Sequence, residues 1–449
     1  MWIVFRHEWA GFARSGALAV AVLVVGVIGT VTAVVEHRAW QAEQSERLEL
    51  RAQEIEQWLA LGGTHIHKAA HRGYFVVRDL PPGAILDRGV WDFGGSSVWL
   101  EAHRRNAPQL RAADAAAVVA RGAPRGVGPV LLWLVPLLLA VLLHGAVANE
   151  RESGSLAFAV SSGASPHAIV FGKALAAVSL AWAAVALPVV IGVGLAVRNG
   201  MPAAAAAGWA MTLLVALAVF AVVVVIASSL ARRPLGALVS LLLLWFWMAV
   251  LWPRLTPGLA EQAAPIPSSQ TVRSEAEVAA EGLVTDATLE TVRDQLARVG
   301  VTDPNPAGVS AMAAEVDAAA AFADIFAPLE AGMEQQARLL DFASWVSPLT
   351  AADRAADATV GLSDRDQFAF EARAEDMRIA TQMALNEGWA RAGQRDVGDA
   401  ALWRNVVDAA VATPEPDLAR GQAYWGLLLW TVLATLGLLW AARTIRRSV

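Results

Sequence analysis

From Gly126 to Lys173 the chain reads GVGPVLLWLVPLLLAVLLHGAVANERESGSLAFAVSSGASPHAIVFGK. The run Gly126–Ala148 carries no charge, and Glu150, Arg151 and Glu152 follow it without a break. About 20 predominantly apolar residues in a helix cross the hydrocarbon core of a bilayer. This stretch therefore reads as a spanning helix that empties directly into a short polar element, and it sets the fold class as a membrane protein.

Five further runs have the same character: Gly16–Val35, Ala174–Val197, Pro202–Ala231, Pro234–Trp252 and Gly421–Ala442. Charges bound them and none contains Asp, Glu, Lys or Arg. A single such residue at mid-span costs about 2.5–3.5 kcal/mol on insertion. The expected fold is an all-α polytopic membrane protein with six transmembrane helices over 16–35, 126–148, 167–197, 202–231, 234–252 and 421–442. Between and around them lie an interfacial helix (1–15), a first outer domain (36–125), a cytoplasmic loop (149–166), a second outer domain (253–420) and a tail (443–449).

Composition agrees. The 449 residues are 56% hydrophobic and only 17% charged, below the quarter usual for soluble domains. Cysteine is absent, which excludes disulfides, thiolate chemistry and Cys-ligated zinc. Residues 253–423 hold 27 Asp and Glu against 13 Arg and no Lys, so this region is strongly acidic and the remainder basic. An acidic face of that size excludes nucleic acid as a partner.

Lys and Arg near span ends set the orientation. Arg6, Arg14, Arg151, Lys173, Arg232, Arg233, Arg443, Arg446 and Arg447 collect on one side, whereas the only short loop of the other side offers Arg198. Both termini are expected in the cytoplasm of a bacterial cell, with both large loops beyond its inner membrane. Residues 1–15, MWIVFRHEWAGFARS, put Trp2, Phe5, Trp9 and Phe12 on one helical stripe, as suits a helix lying in the interface. Trp245, Trp247, Trp252, Trp425, Trp430 and Trp440 suit anchoring at the interface and packing between helices.

The loop after span two does more than reverse the chain. Glu150 and Glu152 lie in the first turn of a short helix, where the helix dipole favours carboxylates. Leu156, Phe158 and Val160 give that helix an apolar surface, Ser161-Ser162-Gly163 ends it, and Pro166 restarts the chain. An amphipathic knob flanked by charge is suited to docking in another protein.

The stretch Glu150-Arg151-Glu152-Ser153-Gly154-Ser155-Leu156, with Phe158 and the later Gly172-Lys173, resembles the E-R/K-E-x-G-T-L…GK pattern of ABC-2-type transporter permeases, Ser155 standing where Thr is usual. The resemblance implies that Glu150, Arg151, Glu152, Gly154, Ser155, Leu156, Phe158 and Lys173 couple the chain to an ATP-binding subunit. It implies a dimer of those subunits, a second permease chain, identical or related, and spans one, two and five as the moving parts. Ala69-Ala70-His71-Arg72-Gly73, Leu86-Asp87-Arg88-Gly89 and Leu100-Glu101-Ala102-His103-Arg104 are similar to the outer segments of a permease subfamily whose outer domain has unknown function. His71, Gly73, Asp87, Gly89, Glu101, His103 and Arg104 thus form an outer-domain motif.

The first outer domain should continue span one as a helix to about Leu61, with a short strand at Tyr74–Val77 and turns at Pro81-Pro82-Gly83 and Gly94-Gly95. Its His65, His67 and His71 are candidate ligands for zinc, copper or nickel, or else solvated and core histidines. The second outer domain reads as helical: Met312, Val316, Ile325, Leu329, Met333 and Leu340 recur at helical spacing. Breaks fall at 304–306, 347–348 and 414–416.

No GxxxxGK[ST] loop, G-x-S-x-G elbow or H-E-x-x-H helix occurs. The chain is expected to be non-catalytic and to bind no cofactor, with ATP and Mg2+ held by the partner ATPase. Only His144 is ionisable within the spans, which disfavours a proton- or sodium-coupled carrier. Three readings remain open: a permease subunit of an ATP-driven transporter; a mechanical subunit that acts on a periplasmic or outer-membrane partner; and a metal-binding receptor built on the first outer domain.

Overall fold

The structure is a computed structural model that describes residues 1–111, 125–280, 284–392, 396–398, 400–411 and 422–448. Six helices are long and apolar enough to cross a bilayer: Ala17–Leu59, Val127–Glu152, Pro166–Arg198, Ala203–Leu230, Pro234–Ala263 and Tyr424–Arg446. The one sheet among the described residues has two strands. This is an all-α polytopic membrane protein. The break expected at 414–416 and the Ala-rich run approaching Arg121 lie outside the described residues.

In chain order, α1 (Trp2–Arg14) and α2 (Ala17–Leu59) are followed by α3 (Ile66–Arg72), β1 (Tyr74–Val77), the single turn α4 (Trp91–Gly94) and β2 (Ser97–Leu100). Then come α5 (Val127–Leu143), α6 (Ala148–Glu152), α7 (Ser155–Ser161), α8 (Pro166–Arg198), α9 (Ala203–Leu230) and α10 (Pro234–Trp245). The distal part contains α11 (Trp252–Ala263), α12 (Ser269–Ala280), α13 (Asp286–Arg298), α14 (Pro306–Ser344), α15 (Pro348–Val360), α16 (Asp364–Arg391), α17 (Ala400–Val411) and α18 (Gln422–Ser448).

The third span, α8, is the centre of the bundle and packs on α1, α2, α5, α9 and α18. Its buried face is largely small: Ala174, Ala177, Ala181 and Ala184 are all nearly inaccessible. Small side chains let helices approach where lipid supplies no hydrophobic drive for association. Several polar groups in the spans are satisfied internally, as lipid favours: Thr212 donates to Gly208 O, Ser229 to Val225 O, and the Trp245 indole to Trp133 O.

At 43 residues, α2 is about 65 Å long, twice the bilayer core. Its far half leaves the bundle and lies against β1. The strands are antiparallel, with Tyr74 opposite Leu100 and Val77 opposite Ser97. Although far apart in sequence, the two outer segments share one core. Trp58, Tyr74 and Leu100 of the first are buried with Phe370, Leu385 and Trp403 of the second. The Trp58 indole donates to Trp403 O, and the Tyr74 hydroxyl lies 2.9 Å from Thr381 Oγ1.

The helix α15 departs from a simple reading of 253–420 as a separate outer domain. It packs on α9, α18 and α5, so it covers the end of the bundle where these spans meet the outer domain. Its entry is fixed by Ser347, whose hydroxyl accepts from Leu349 N and Thr350 N and donates to Met248 O. Met248 lies in Phe246–Leu251, where the fifth span widens into a π-helical turn. The Trp252 indole donates to Ala343 O and the Trp430 indole to Trp345 O, so spans five and six are bonded to the same corner.

Under α15 lies an acidic seam. Asp87 and Asp357 face each other at hydrogen-bonding range, with Asp353 close by. Among the described residues Asp87 Oδ2 and Asp357 Oδ1 find no donor, and Arg354 turns away to Asp341 and Asp364. Loss of water raises all three carboxyls, and their mutual repulsion adds to it at Asp87 and Asp357. Asp353 is raised to about 6. Asp353 and Asp357 keep some solvent-accessible surface, yet the ring of protein around them makes desolvation the largest influence. A proton shared between Asp87 and Asp357 would satisfy both orphaned oxygens.

A carboxyl raised on folding gives stability that is complete below its ordinary value and fades as pH climbs through the folded one. Thermal unfolding of the purified protein should therefore occur at lower temperature at about pH 8 than at about pH 5. Asp87→Asn should flatten that difference; an unchanged pH profile in the variant would show that the seam does not share protons.

Candidate coupling site

After α5 ends at Leu143 the chain makes a tight turn and forms α6. No side chain of its own caps this helix. Instead Ser228 Oγ of α9 accepts from Val147 N and Ala148 N at 2.9 and 3.1 Å, serving two of the amides that a helix start leaves unpaired. Arg151 then donates to Ser229 O and Ala231 O, both at 2.6 Å. These are carbonyls at the C-terminal end of α9, where a cation is favoured. The knob is thus pinned to the end of the fourth span.

A single helix across Glu150–Ser161 is not what forms. The chain breaks at Gly154, whose φ of +79° opens a second helix, α7. Nothing lies within 4 Å of where a Cβ would be, so glycine is needed here for its backbone and not for space; another residue costs roughly 1–2 kcal/mol. Ser153 and Ser155 both donate to Glu150 O, which ties the two short helices together.

Nor do Leu156 and Phe158 share a surface. Residues two apart on a helix point to different sides. Leu156 is 1% exposed and anchors α7 in the bundle, whereas Phe158 is 74% exposed. The site presents one aromatic ring on a base held from beneath.

Lys173 completes the base. Its side chain is almost wholly buried, and its ammonium donates to Glu150 of α6 at 2.7 Å and to Glu8 of α1. At the adjacent Gly172 a Cβ would stand 2.7 Å from Val4 Cβ and 2.9 Å from Met1 O. The pair Gly172-Lys173 therefore receives α1, steric room from one residue and charge from the other. The aromatic stripe of α1 is continuous, ring centroids running from Trp2 to Phe5, Trp9 and Phe12 at 4.9, 6.2 and 6.3 Å. Trp9 and Phe12 pack against the bundle core.

Of the proposed coupling residues, Glu150, Arg151, Ser155, Leu156 and Lys173 are built into this base, while Glu152 and Phe158 face outward. Sequence reasoning missed Glu8 and Ser228, and it carried Gly172 only as part of the GK pattern. Glu8 had a signal: it is the one acid in an otherwise basic, aromatic leader. The outer-domain motif separates into two places. Gly73, Glu101, His71, His103 and Arg104 gather around the sheet, with Glu101 accepting from Asn106 and Arg104 exposed near Glu277. Asp87 belongs to the acidic seam, and beside Gly89 the Val90 amide donates to Leu362 O of the second outer segment.

Lys173→Met should leave two carboxylates facing an apolar stem and weaken the docking of α1 by about 1–3 kcal/mol. Amide hydrogen exchange over residues 2–14 would then quicken, as it should in Gly172→Leu. Equal protection in the wild type and both variants would show that the pair does not hold α1.

The profile of the family described as ABC-2 family transporter protein matches residues 2–438. Comparison with curated proteins and with solved structures finds no match. The matched region takes in α1, the knob and all but the end of the last span. The chain belongs to the ABC-2 family of transporter proteins and is a multi-pass membrane permease of an ABC transporter.

Proposed function

We propose that this permease is driven by a separate ATP-binding subunit that docks on α7, α6 and α1. The observation that carries this reading is the exposed Phe158 on a base fixed to the third and fourth spans by Lys173 and Arg151 and to the bundle core by Leu156. A large aromatic ring left in water beside Glu152 is the kind of anchor that fills a pocket in a partner. ATP and Mg2+ would be bound by that partner, and two permease chains would enclose the path. The Lys and Arg bias at the span ends supports placing this end in the cytoplasm and the outer domain across the inner membrane.

The hydrogen bonds and ion pairs of the base support a route for a push on α7. Ser228 and Arg151 lead it into the fourth span, Lys173 into the third, and Glu8 into α1. Spans three and four would receive it through these side chains, together with the second span, which runs directly into the knob. Because α15 lies across α9, α18 and α5 at the other end, a shift of the fourth span reaches the outer domain through that helix and alters access there.

Because the chain has no cysteine, Phe158→Cys introduces a unique thiol. It should cross-link to the co-expressed ATP-binding subunit, with a yield that changes on adding MgATP; Phe93→Cys, exposed at the opposite end, should not. Phe158→Ala should lower permease-stimulated ATPase activity at least ~10-fold, matching the roughly 1.5–3 kcal/mol gained by burying a Phe. Labelling of the Phe158→Cys thiol by a membrane-impermeant reagent from outside intact cells would overturn the docking assignment.

A further inference from the structure

We propose that His67, His71 and His103 form a site in the outer domain for a divalent late transition metal, Zn2+, Cu2+ or Ni2+, with Glu315 behind it as the orienting carboxylate. His67 and His71 lie four residues apart on α3, hence on one face, and their Nε2 atoms are 3.1 Å apart. Ring centroids are separated by 4.5 Å for His67 and His71, 5.4 Å for His71 and His103, and 6.4 Å for His67 and His103. Three imidazoles on one tetrahedral ion, each nitrogen about 2.0–2.1 Å from it, have centroids about 5 Å apart. The rings already bracket that spacing.

No set of three or more such groups among the described residues is yet arranged to hold an ion. The pair on α3 provides the first two ligands, and a turn of the His103 ring supplies the third. His65 is not part of the set: its Nδ1 accepts from His67 N at the start of α3 and its ring packs on Trp389.

One observation beyond proximity points to a ligand. Glu315 of α14 is fully buried; one oxygen takes Arg378, while Oε2 has no hydrogen bond and lies 3.5 Å from His103 Nδ1. A carboxylate on the far nitrogen of an imidazole is how metal-binding histidines are commonly aimed. Burial, and next the neighbouring histidines, hold His67 below the usual histidine range; burial is also the chief cause at His103. Neutral imidazoles are the form that binds metal, and the exposed edge of His71 leaves an entry path.

The test uses full-length protein without a polyhistidine tag, stripped with chelator and titrated with Zn2+ alone by calorimetry. One saturable site per chain is expected, weakened at least ~10-fold in His71→Ala and in His103→Ala, and about 10–100-fold in Glu315→Gln. His144→Ala and His167→Ala should bind as the wild type does. With Cu2+, electron paramagnetic resonance of the wild type should show splitting from two or three imidazole nitrogens, reduced in His71→Ala. Absence of saturable Zn2+ binding, unchanged affinity in His71→Ala and His67→Ala, or a wild-type Cu2+ spectrum without nitrogen splitting would each overturn the site; the last needs no variant to fold. None of these readouts depends on the ATPase partner.

Discussion

An ammonium group on a membrane helix must be neutralised where it stands, because the surrounding lipid and apolar side chains offer it no water. Lys173 meets that demand with two carboxylates from two different elements, Glu8 and Glu150. The pairing converts an electrostatic necessity into an assembly rule. The third span cannot be placed without the N-terminal helix and the knob arriving at the same point. Arg151 and Ser228 do the same for the fourth span with uncharged partners, closing helix ends that would otherwise be left unbonded. A docking surface that rests on these contacts moves with the spans and not independently of them.

The opposite end of the bundle follows the same physics with the signs reversed. There the carboxylates form no ion pair among the described residues, and Asp87, Asp353 and Asp357 are left to share what protons they can. Salt links, some of them partly exposed, lie near this seam, with Arg88 held by Glu43 and Asp92, and Arg125 by Asp92 and Glu36. The outer domain is thus seated on the spans through groups whose charge depends on the medium beyond the membrane. Trp209 of the fourth span and Asp87 both pack across Gly128, so the seam touches the span that also receives Arg151 at the other end.

The uncharged spans, the amphipathic leader and the polar knob were legible because each depends on neighbours close in sequence. Tyr74–Val77 was legible as a strand for the same reason. What escaped depends on contacts between distant segments. Trp58 and Trp403, 345 residues apart, share a core that no local pattern announces. The helix at Pro348–Val360 carries Asp353, Arg354 and Asp357, which makes it look like a solvated outer helix; the bonds of Ser347 and Thr359 and the burial of Leu349, Ala352 and Ala356 in the core of the spans place it on the bundle. At the knob the apolar positions were visible, but their split between Leu156 as anchor and Phe158 as presented ring required the break at Gly154. Among the histidines, closeness in sequence favoured His65, whereas the fold brings in His103.

The unbroken run of α2 has a geometrical consequence. One rigid rod joins the leader's side of the bilayer to Trp58 in the heart of the outer core, with the Trp40 indole fastened to Leu80 O on the way. A rod about 65 Å long that tilts by about 5° swings its tip by about 6 Å. Displacements too small to open a passage at one membrane face become, at the tip, the width of a side chain. Any tilt of this rod within the bilayer would therefore be magnified where its far end enters the outer core.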